Sequence, residues 1–510
     1  MNPSTRQDDI MWHEERLLID GQLRAAEADA TYPVENPTTG AQLGVAADAS
    51  ATDMEAALAA ARGAFDQGDW AGDVALRVRC LRQLHRALLA HSEQLTELTV
   101  AEVGAPRTVC STVQLGAPTE FPAYFAEVAE GYDWTNSLGV ADTLGGPAER
   151  WVERRPIGVV AAISPWNVPH QINLAKVAPA LAAGCTLVLK PAPETPWCGL
   201  ALGRLVAEHT EIPPGVLNVV TSSDPTIGRL LTGDPRVDMV SFTGSTATGR
   251  EVMAAAAANV TKVFLELGGK SASIVLDDVE DFGLAAATAA FGTASVAGQG
   301  CALTTRVLLP RSRYEEGVEA IAQMMAAMAP GDPADPATLL GPLINARQWD
   351  RVDGYVREAV AVGARVACGG GRPASMPLGH FYDMTLLADV TPDMRVAAEE
   401  VFGPVLVAIA YEDDDDAVRI ANDSVYGLSG AVFGADEERA LAVARRIRTG
   451  TMSVNGGVWY GADVPFGGVK HSGIGREMGI AGFEEYLETT AFARPAPSRG
   501  RRLPPGRARS

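Results

Sequence analysis

The spacing of apolar residues along this chain changes near residue 157. Before that point it is helical. Met54, Leu58, Ala61 and Phe65 recur on one face, behind a Thr52–Glu55 pair that reads as a capping box. Leu81, Leu84, Leu88, Leu95 and Leu98 repeat the pattern and predict a second helix from about Ala75 to Val103. From Ile157 onward, short apolar runs alternate with longer helical ones. The predicted strands are Gly158–Ile163, Thr186–Lys190, Val216–Val220, Asp238–Phe242 and Lys262–Glu266. The predicted helices between them are His170–Gly184, Pro196–His209, Pro225–Thr232 and Ser245–Ala258. Strand and helix alternating at this pitch imply right-handed crossovers and a parallel sheet. This is the Rossmann-like α/β class, which binds ligands at the carboxyl ends of its strands. A second α/β region follows from Gly268 to about Gly479. Its predicted strands include Arg306–Leu309, Val405–Ala410, Ala431–Phe433 and Met452–Val454.

Composition narrows the class. A chain of 510 residues, 47% hydrophobic, exceeds one core and predicts two or three domains. The net charge of −21 repels phosphate backbones and anionic membranes, so neither nucleic acid nor membrane is an expected partner. Six cysteines occur without a C-x-x-C pair, in spacings that suit neither a zinc ribbon nor a disulfide framework. They imply a reducing, cytoplasmic setting and no metal site. The polar stretch Met1–Asp20 does not read as a signal peptide. The uncharged stretch Phe282–Thr305 is long enough to span a bilayer. It is mostly Ala, Gly, Ser and Thr, so a buried segment is expected instead. The run Glu412–Asp416 is too consecutive to converge on one cation and reads as a solvated helix start. From Arg494 the tail carries arginines and prolines but no acids, and residues 495–510 are expected to be a disordered basic tail.

Four segments carry candidate chemistry. Cys301 sits in Gly298-Gln299-Gly300-Cys301-Ala302, where small neighbours leave a thiol accessible on a flexible backbone. Glu266 ends an apolar strand before Gly268-Gly269, at the sheet edge where ligands bind. A carboxylate among apolar neighbours has a raised pKa that suits general-base work; a helix-capping or ion-paired Glu is the alternative. Gly244 to Gly249 is a glycine turn opening a helix, suited to a pyrophosphate. It matches neither G-x-G-x-x-G nor a P-loop, because Arg250-Glu251 follows Gly249. Ser164-Pro165-Trp166-Asn167-Val168-Pro169 is a proline-fixed loop offering a neutral amide donor, suited to an oxyanion or to an ordinary strand–helix turn.

Together these segments resemble the aldehyde dehydrogenase superfamily, over about Leu18 to Phe492. The likeness rests on Phe242-Thr243-Gly244-Ser245, Leu265-Glu266-Leu267-Gly268-Gly269-Lys270 and Gly298-Gln299-Gly300-Cys301. Pro165-Trp166-Asn167, Glu399-Glu400-Val401-Phe402-Gly403-Pro404 and Pro465-Phe466-Gly467-Gly468-Val469-Lys470 add to it. The resemblance implies that Cys301 attacks the aldehyde and that Asn167 and the Cys301 N–H hold the oxyanion. It further implies that Glu266 activates the water that hydrolyses the thioester, with Glu477 in a proton path. It places Lys190 on the adenosine ribose, Ser245 on the pyrophosphate with Trp166 beside it, and Glu400 on the nicotinamide ribose next to Phe402. Ile163, Ser164, Gly244, Gly249, Leu267 and Gly268 fall in the same cofactor segments. By position, Val168, Ile172, Trp459 and Tyr460 line the entry to the thiol and favour an uncharged aliphatic or aromatic aldehyde. The implied layout is a dinucleotide-binding domain (1–132 and 154–267), a catalytic domain (268–482) and bridging strands (133–153 and 483–494) that make a homodimer or homotetramer.

Two departures stand out. The family's Lys-Pro-Ala-Glu reads Lys190-Pro191-Ala192-Pro193 here, so the carboxylate that clasps the ribose is missing from its usual place. NAD is the expected cofactor, with NADP left open. Glycine precedes Cys301 where bulkier side chains are common, which widens or loosens the site. Glu266 disfavours a relative that acylates coenzyme A, where water must not compete. A nucleotide-independent thiol hydrolase and a non-catalytic protein that kept the fold are the other readings.

Overall fold

The computed structural model describes residues 14–496. Five apolar runs become the parallel heart of an eight-stranded sheet. In sheet order they are Lys262–Glu266, Met239–Thr243, Val159–Ile163, Thr186–Lys190 and Leu217–Val219. Covered on both faces, such strands read as continuous apolar stretches, and Thr186–Lys190 and Met239–Thr243 are buried throughout. Antiparallel pieces close the two edges: Gly473–Ile474 beside Lys262–Glu266, and Leu17–Ile19 with Gln22–Arg24 beyond Leu217–Val219. The crossover helix Pro169–Ala183 starts on proline and ends before Gly184 at φ 96°. Nearly every residue of it is buried, including Lys176, so it is sandwiched rather than amphipathic.

Most boundaries agree with the sequence pattern to within a residue or two. Two early expectations need correction. The first helix, Ala51–Gln67, is capped by Ser50 and Asp53, not by Thr52 and Glu55. Ser50 accepts from the Thr52 and Asp53 N–H groups while Asp53 accepts from the Ser50 N–H. The long helix expected over 75–103 is two helices, Val74–Ala90 and Ser92–Val103, broken at His91. The predicted Leu face is buried in both.

The second sheet has seven strands: Arg365–Cys368, Thr385–Ala388, Val405–Tyr411, Arg306–Pro310, Ala272–Val275, Gly430–Phe433 and Ser453–Val454. All neighbours are parallel except the first pair. A three-stranded antiparallel sheet joins Thr135–Thr143, Gly146–Pro156 and Leu487–Pro495. The uncharged stretch after Phe282 is a short helix, Phe282–Phe291, followed by irregular turns through Gly298. No helix among the described residues is long and apolar enough to cross a membrane. The acidic run opens the helix Asp414–Asn422. Asp413 caps it, and Asp414, Asp415 and Asp416 pair with Arg439, Arg446 and Arg419. The stretch 1–13 and the basic tail from 497 lie outside the described residues.

Candidate active site

In the parallel heart the strand order reverses between Val159–Ile163 and Met239–Thr243, so the loops leaving their carboxyl ends diverge. Open α/β sheets bind ligands in the crevice this creates. Here it opens into a cavity of 460 Å³. One wall carries Trp166 and Asn167 from the first loop and Thr243, Gly244 and Ser245 from the other. The opposite wall carries Cys301, Glu400 and Phe402, with Gln348 and Arg351 from the helix Ala346–Ala361.

Cys301 and Glu266 meet at this cavity. The Cys301 Sγ donates toward Glu266 Oε2 at 3.9 Å, across 35 residues of chain. The other carboxylate oxygen, Oε1, is buried without a protein partner. Burial pushes the Glu266 carboxyl well above its usual range, and the nearby Glu477 carboxylate pushes it further; Lys176 and Arg476 oppose them. Burial likewise raises the Cys301 thiol, with the charges of Glu266 and Glu400 adding to it. Glu477 is itself buried and held by Lys176 Nζ at 3.1 Å. That ammonium also donates to Ser241 Oγ and lies 5.1 Å from the Phe264 ring centroid.

The cysteine loop is tied down, contrary to the flexible backbone expected. Gln299 Oε1 accepts from the Ile344 N–H at 3.0 Å, and its Nε2 donates to the Val296 carbonyl. The Gln299 carbonyl in turn accepts from Asn167 Nδ2 at 2.7 Å. Asn167 is buried, and its Oδ1 has no protein partner. Gly269 is required by this packing: a Cβ there would lie 2.3 Å from the Cys301 carbonyl oxygen.

The cofactor candidates fall into two groups. Trp166, Gly244, Ser245, Leu267, Gly268, Glu400 and Phe402 all line the cavity. Glu400 Oε1 accepts from the Gly269 N–H at 2.9 Å, and a Cβ at Gly268 would strike Oε2 at 2.5 Å. Burial holds this carboxyl up, at about 7. Trp166 meets Phe402 edge to face, ring centroids 5.3 Å apart. Phe402 sits at φ 62°, and its carbonyl accepts from Gln348 Nε2 at 2.6 Å. Ser245 caps the helix Thr246–Ala257 through the Thr248 N–H. Ile163, Ser164 and Lys190 lie at the carboxyl ends of their strands and Gly249 in the first turn of the helix Thr246–Ala257, all outside this lining. Lys190 is buried, and burial lowers its ammonium. Glu194, the acid nearest the missing ribose carboxylate, is turned to Arg347 at 3.0 Å on the rim of the cavity.

The four substrate candidates separate. Val168 and Ile172 form a small apolar cluster with Val296 and the part-buried Val113, and Ile172 reaches the cavity. Trp459 and Tyr460 are not in its lining. Trp459 stacks on Phe466 at 5.5 Å and meets Tyr460 edge to face. Sequence reasoning did not single out Lys176, Gln348, Arg351 or Thr243. A lone lysine inside the apolar helix at 169–183 was a readable signal for the first. Arg351 and Gln348 sit in a helix whose polar residues look like an ordinary solvated face.

Cys301 and Glu266 thus meet at the switch point of the sheet. The family model described as "Aldehyde dehydrogenase family" matches residues 24–492. A 3-succinoylsemialdehyde-pyridine dehydrogenase from a Pseudomonas species is 40% identical over 93% of this chain and 97% of its own length. A geranial dehydrogenase from Castellaniella defragrans is 40% identical over 92% of this chain and 98% of its own. Among solved structures, a Mycobacterium tuberculosis aldehyde dehydrogenase complexed with NAD+ superposes with a TM-score of 0.89 at 42% identity, covering 94% and 98% of the two chains. The chain belongs to the aldehyde dehydrogenase family.

Proposed function

We propose that this enzyme oxidises an uncharged aldehyde to the free carboxylic acid, with NAD as hydride acceptor, Cys301 carrying the acyl group and Glu266 activating the water that releases it. The observation that carries this reading is the 3.9 Å approach of the thiol to a buried carboxylate at the switch point of the sheet. The cavity also suits a dinucleotide. Thr243 Oγ1 and Asn167 Oδ1 are buried there without protein partners, and the Gly268-Gly269 backbone cradles the Glu400 carboxylate. Glu400 is placed to hold a ribose, Phe402 and Trp166 to flank it, and the Ser245 helix start to face a pyrophosphate. Lys190 is the candidate for the second ribose. When bound, NAD supplies the hydride acceptor and a cationic ring that favours thiolate over thiol. With Pro193 in place of the usual glutamate and Glu194 occupied by Arg347, NADP stays open as a second cofactor.

The chain's own residues do the rest. Once its proton has passed to water, the Cys301 thiolate sulfur adds to the aldehyde carbon, and the C=O electron pair moves to the oxygen, which becomes an oxyanion met by Asn167 Nδ2 and the Cys301 N–H. Loss of hydride from that carbon leaves a thioester on Cys301. Glu266 removes a proton from water, which attacks the thioester carbon, and the acid leaves as Sγ is released. Glu477 and Lys176 lie behind Glu266 and give the proton a path outward. Acyl transfer to coenzyme A is disfavoured, because a buried base beside the thioester promotes water instead.

The electrostatics make a pH prediction. Glu266 acts as a base only when deprotonated, so kcat falls as pH drops through its raised pKa. The acid limb of the kcat profile therefore lies above the ordinary carboxylate range. Glu477→Gln removes a negative neighbour of Glu266 and the anionic partner of Lys176; both changes favour the carboxylate. The acid limb is expected to move to lower pH in this variant. A shift upward would contradict the assigned coupling.

Substrate preference follows from the walls near the thiol. Ile172 brings to the cavity the edge of an apolar cluster with Val168, Val296 and Val113, which offers no partner for a charged end, and leaving a carboxylate buried and unpaired is costly. The likeness to a geranial dehydrogenase is in keeping with this. In a spectrophotometric assay crossing NAD and NADP with hexanal, benzaldehyde and succinic semialdehyde, kcat/KM is expected to be lowest for the semialdehyde, by ~10-fold or more. Succinic semialdehyde as the best substrate would overturn the assignment. We further assign residues 1–132 and 154–267 to dinucleotide binding and 268–482 to catalysis. The three-stranded sheet, with Leu138 and Val140 exposed, is the bridging element of a cytoplasmic homodimer or homotetramer.

A further inference from the structure

Gln114 ends a single π-helical turn, Cys110–Gln114, and is fully buried. Such turns interrupt the ordinary hydrogen-bond ladder and recur at functional sites. Its Nε2 donates to the main-chain carbonyl of Asn167 at 2.7 Å, across 53 residues of chain. That carbonyl lies just outside the following helix, whose first bond runs from the Ile172 N–H to the Val168 carbonyl. Gln114 therefore satisfies a peptide group that the helix leaves out. The side chain of Asn167 is held from the other direction, by its bond to the Gln299 carbonyl two residues before Cys301. An amide nitrogen has two N–H groups, so one remains for an oxyanion after Gln299 has taken the other. The preceding residue, Val113, packs on the Val168–Ile172–Val296 cluster, so the same turn also braces Ile172, which reaches the cavity.

We infer that Gln114 is a positioning residue for the oxyanion donor, fixing the Asn167 peptide so that the free amide N–H of Asn167 is presented beside Cys301. This rests on the oxyanion role proposed above for Asn167. Misplacing a catalytic group by about an ångström costs up to ~100-fold in rate. The test uses the full chain with NAD and hexanal, following the first-turnover burst of reduced nucleotide by stopped flow. Gln114→Met keeps the side chain's length and removes the donor. It is expected to slow the burst by ~10-fold or more, while iodoacetamide alkylates Cys301 at nearly the original rate and NAD binds with nearly the original Kd. In an Asn167→Ala background, itself slowed by ~100-fold or more, adding Gln114→Met is expected to change the burst by less than ~2-fold, because both substitutions remove one arrangement.

An unchanged burst in Gln114→Met overturns the inference. So does the full 10-fold loss persisting in the Asn167→Ala background, which would mark a general packing role. An unchanged burst in Asn167→Ala alone overturns the oxyanion reading on which both rest. If Gln114→Met does not fold, Gln114→Asn keeps the carboxamide but is one methylene too short. It is expected to slow the burst in the same way, and a wild-type burst there overturns the inference equally.

Discussion

Cys301→Ala is expected to lower kcat for aldehyde oxidation by at least ~10⁴-fold, since no covalent intermediate can form. The other cysteines cannot substitute. Cys80, Cys110, Cys185 and Cys198 are buried away from the cavity, and burial raises each thiol. Cys368 is half-buried and turned to the Met384 carbonyl. The alanine leaves Glu400, Phe402 and the Ser245 turn untouched, so NAD binding, followed by quenching of tryptophan fluorescence, should be retained. Activity within ~100-fold of the unaltered enzyme would mean that the thiol is not the nucleophile.

Glu266→Gln separates the two halves of the reaction. Glutamine keeps the shape of the buried side chain but cannot take a proton from water. Steady turnover is expected to fall by ~10²–10⁴-fold, the usual contribution of a general base. The first-turnover burst should survive, because thiol addition and hydride loss precede the water step. The substitution also removes the negative charge that helps raise the Cys301 thiol. Alkylation of Cys301 by iodoacetamide at fixed pH should therefore become faster. A normal steady rate would remove Glu266 from the mechanism, and a lost burst would place it before hydride transfer.

The parallel heart was legible because its strands are buried on both faces, so Thr186–Lys190 and Lys262–Glu266 stand out as short apolar runs whose ends match the structure. The break at His91 was not, since the leucine spacing continues across it into two separate helices. The capping error has a local cause. Ser50-x-x-Asp53 and Thr52-x-x-Glu55 are both possible boxes two residues apart, and burial of Asp53 beneath Arg24 and the Glu27 N–H decides between them. In the site, Cys301, Glu266 and Glu400 were readable from motifs. The bonds that hold them were not. Gln114, Gln299 and Gln348 act through main-chain carbonyls and N–H groups of distant segments. Those pairings depend on how the two sheets meet, which periodicity does not encode. Lys190, Ile163 and Ser164, at the strand ends, and Gly249, in the helix that follows, lie beyond the lining of the cavity that holds the thiol.

The measurement that bears most directly on the paired thiol and carboxylate is mass spectrometry of Glu266→Gln quenched in acid after mixing with NAD and hexanal. The account predicts one hexanoyl group per chain, carried as a thioester on the peptide containing Cys301 and removed by hydroxylamine. Unmodified protein after a completed burst, or an acyl group on any other residue, would contradict it.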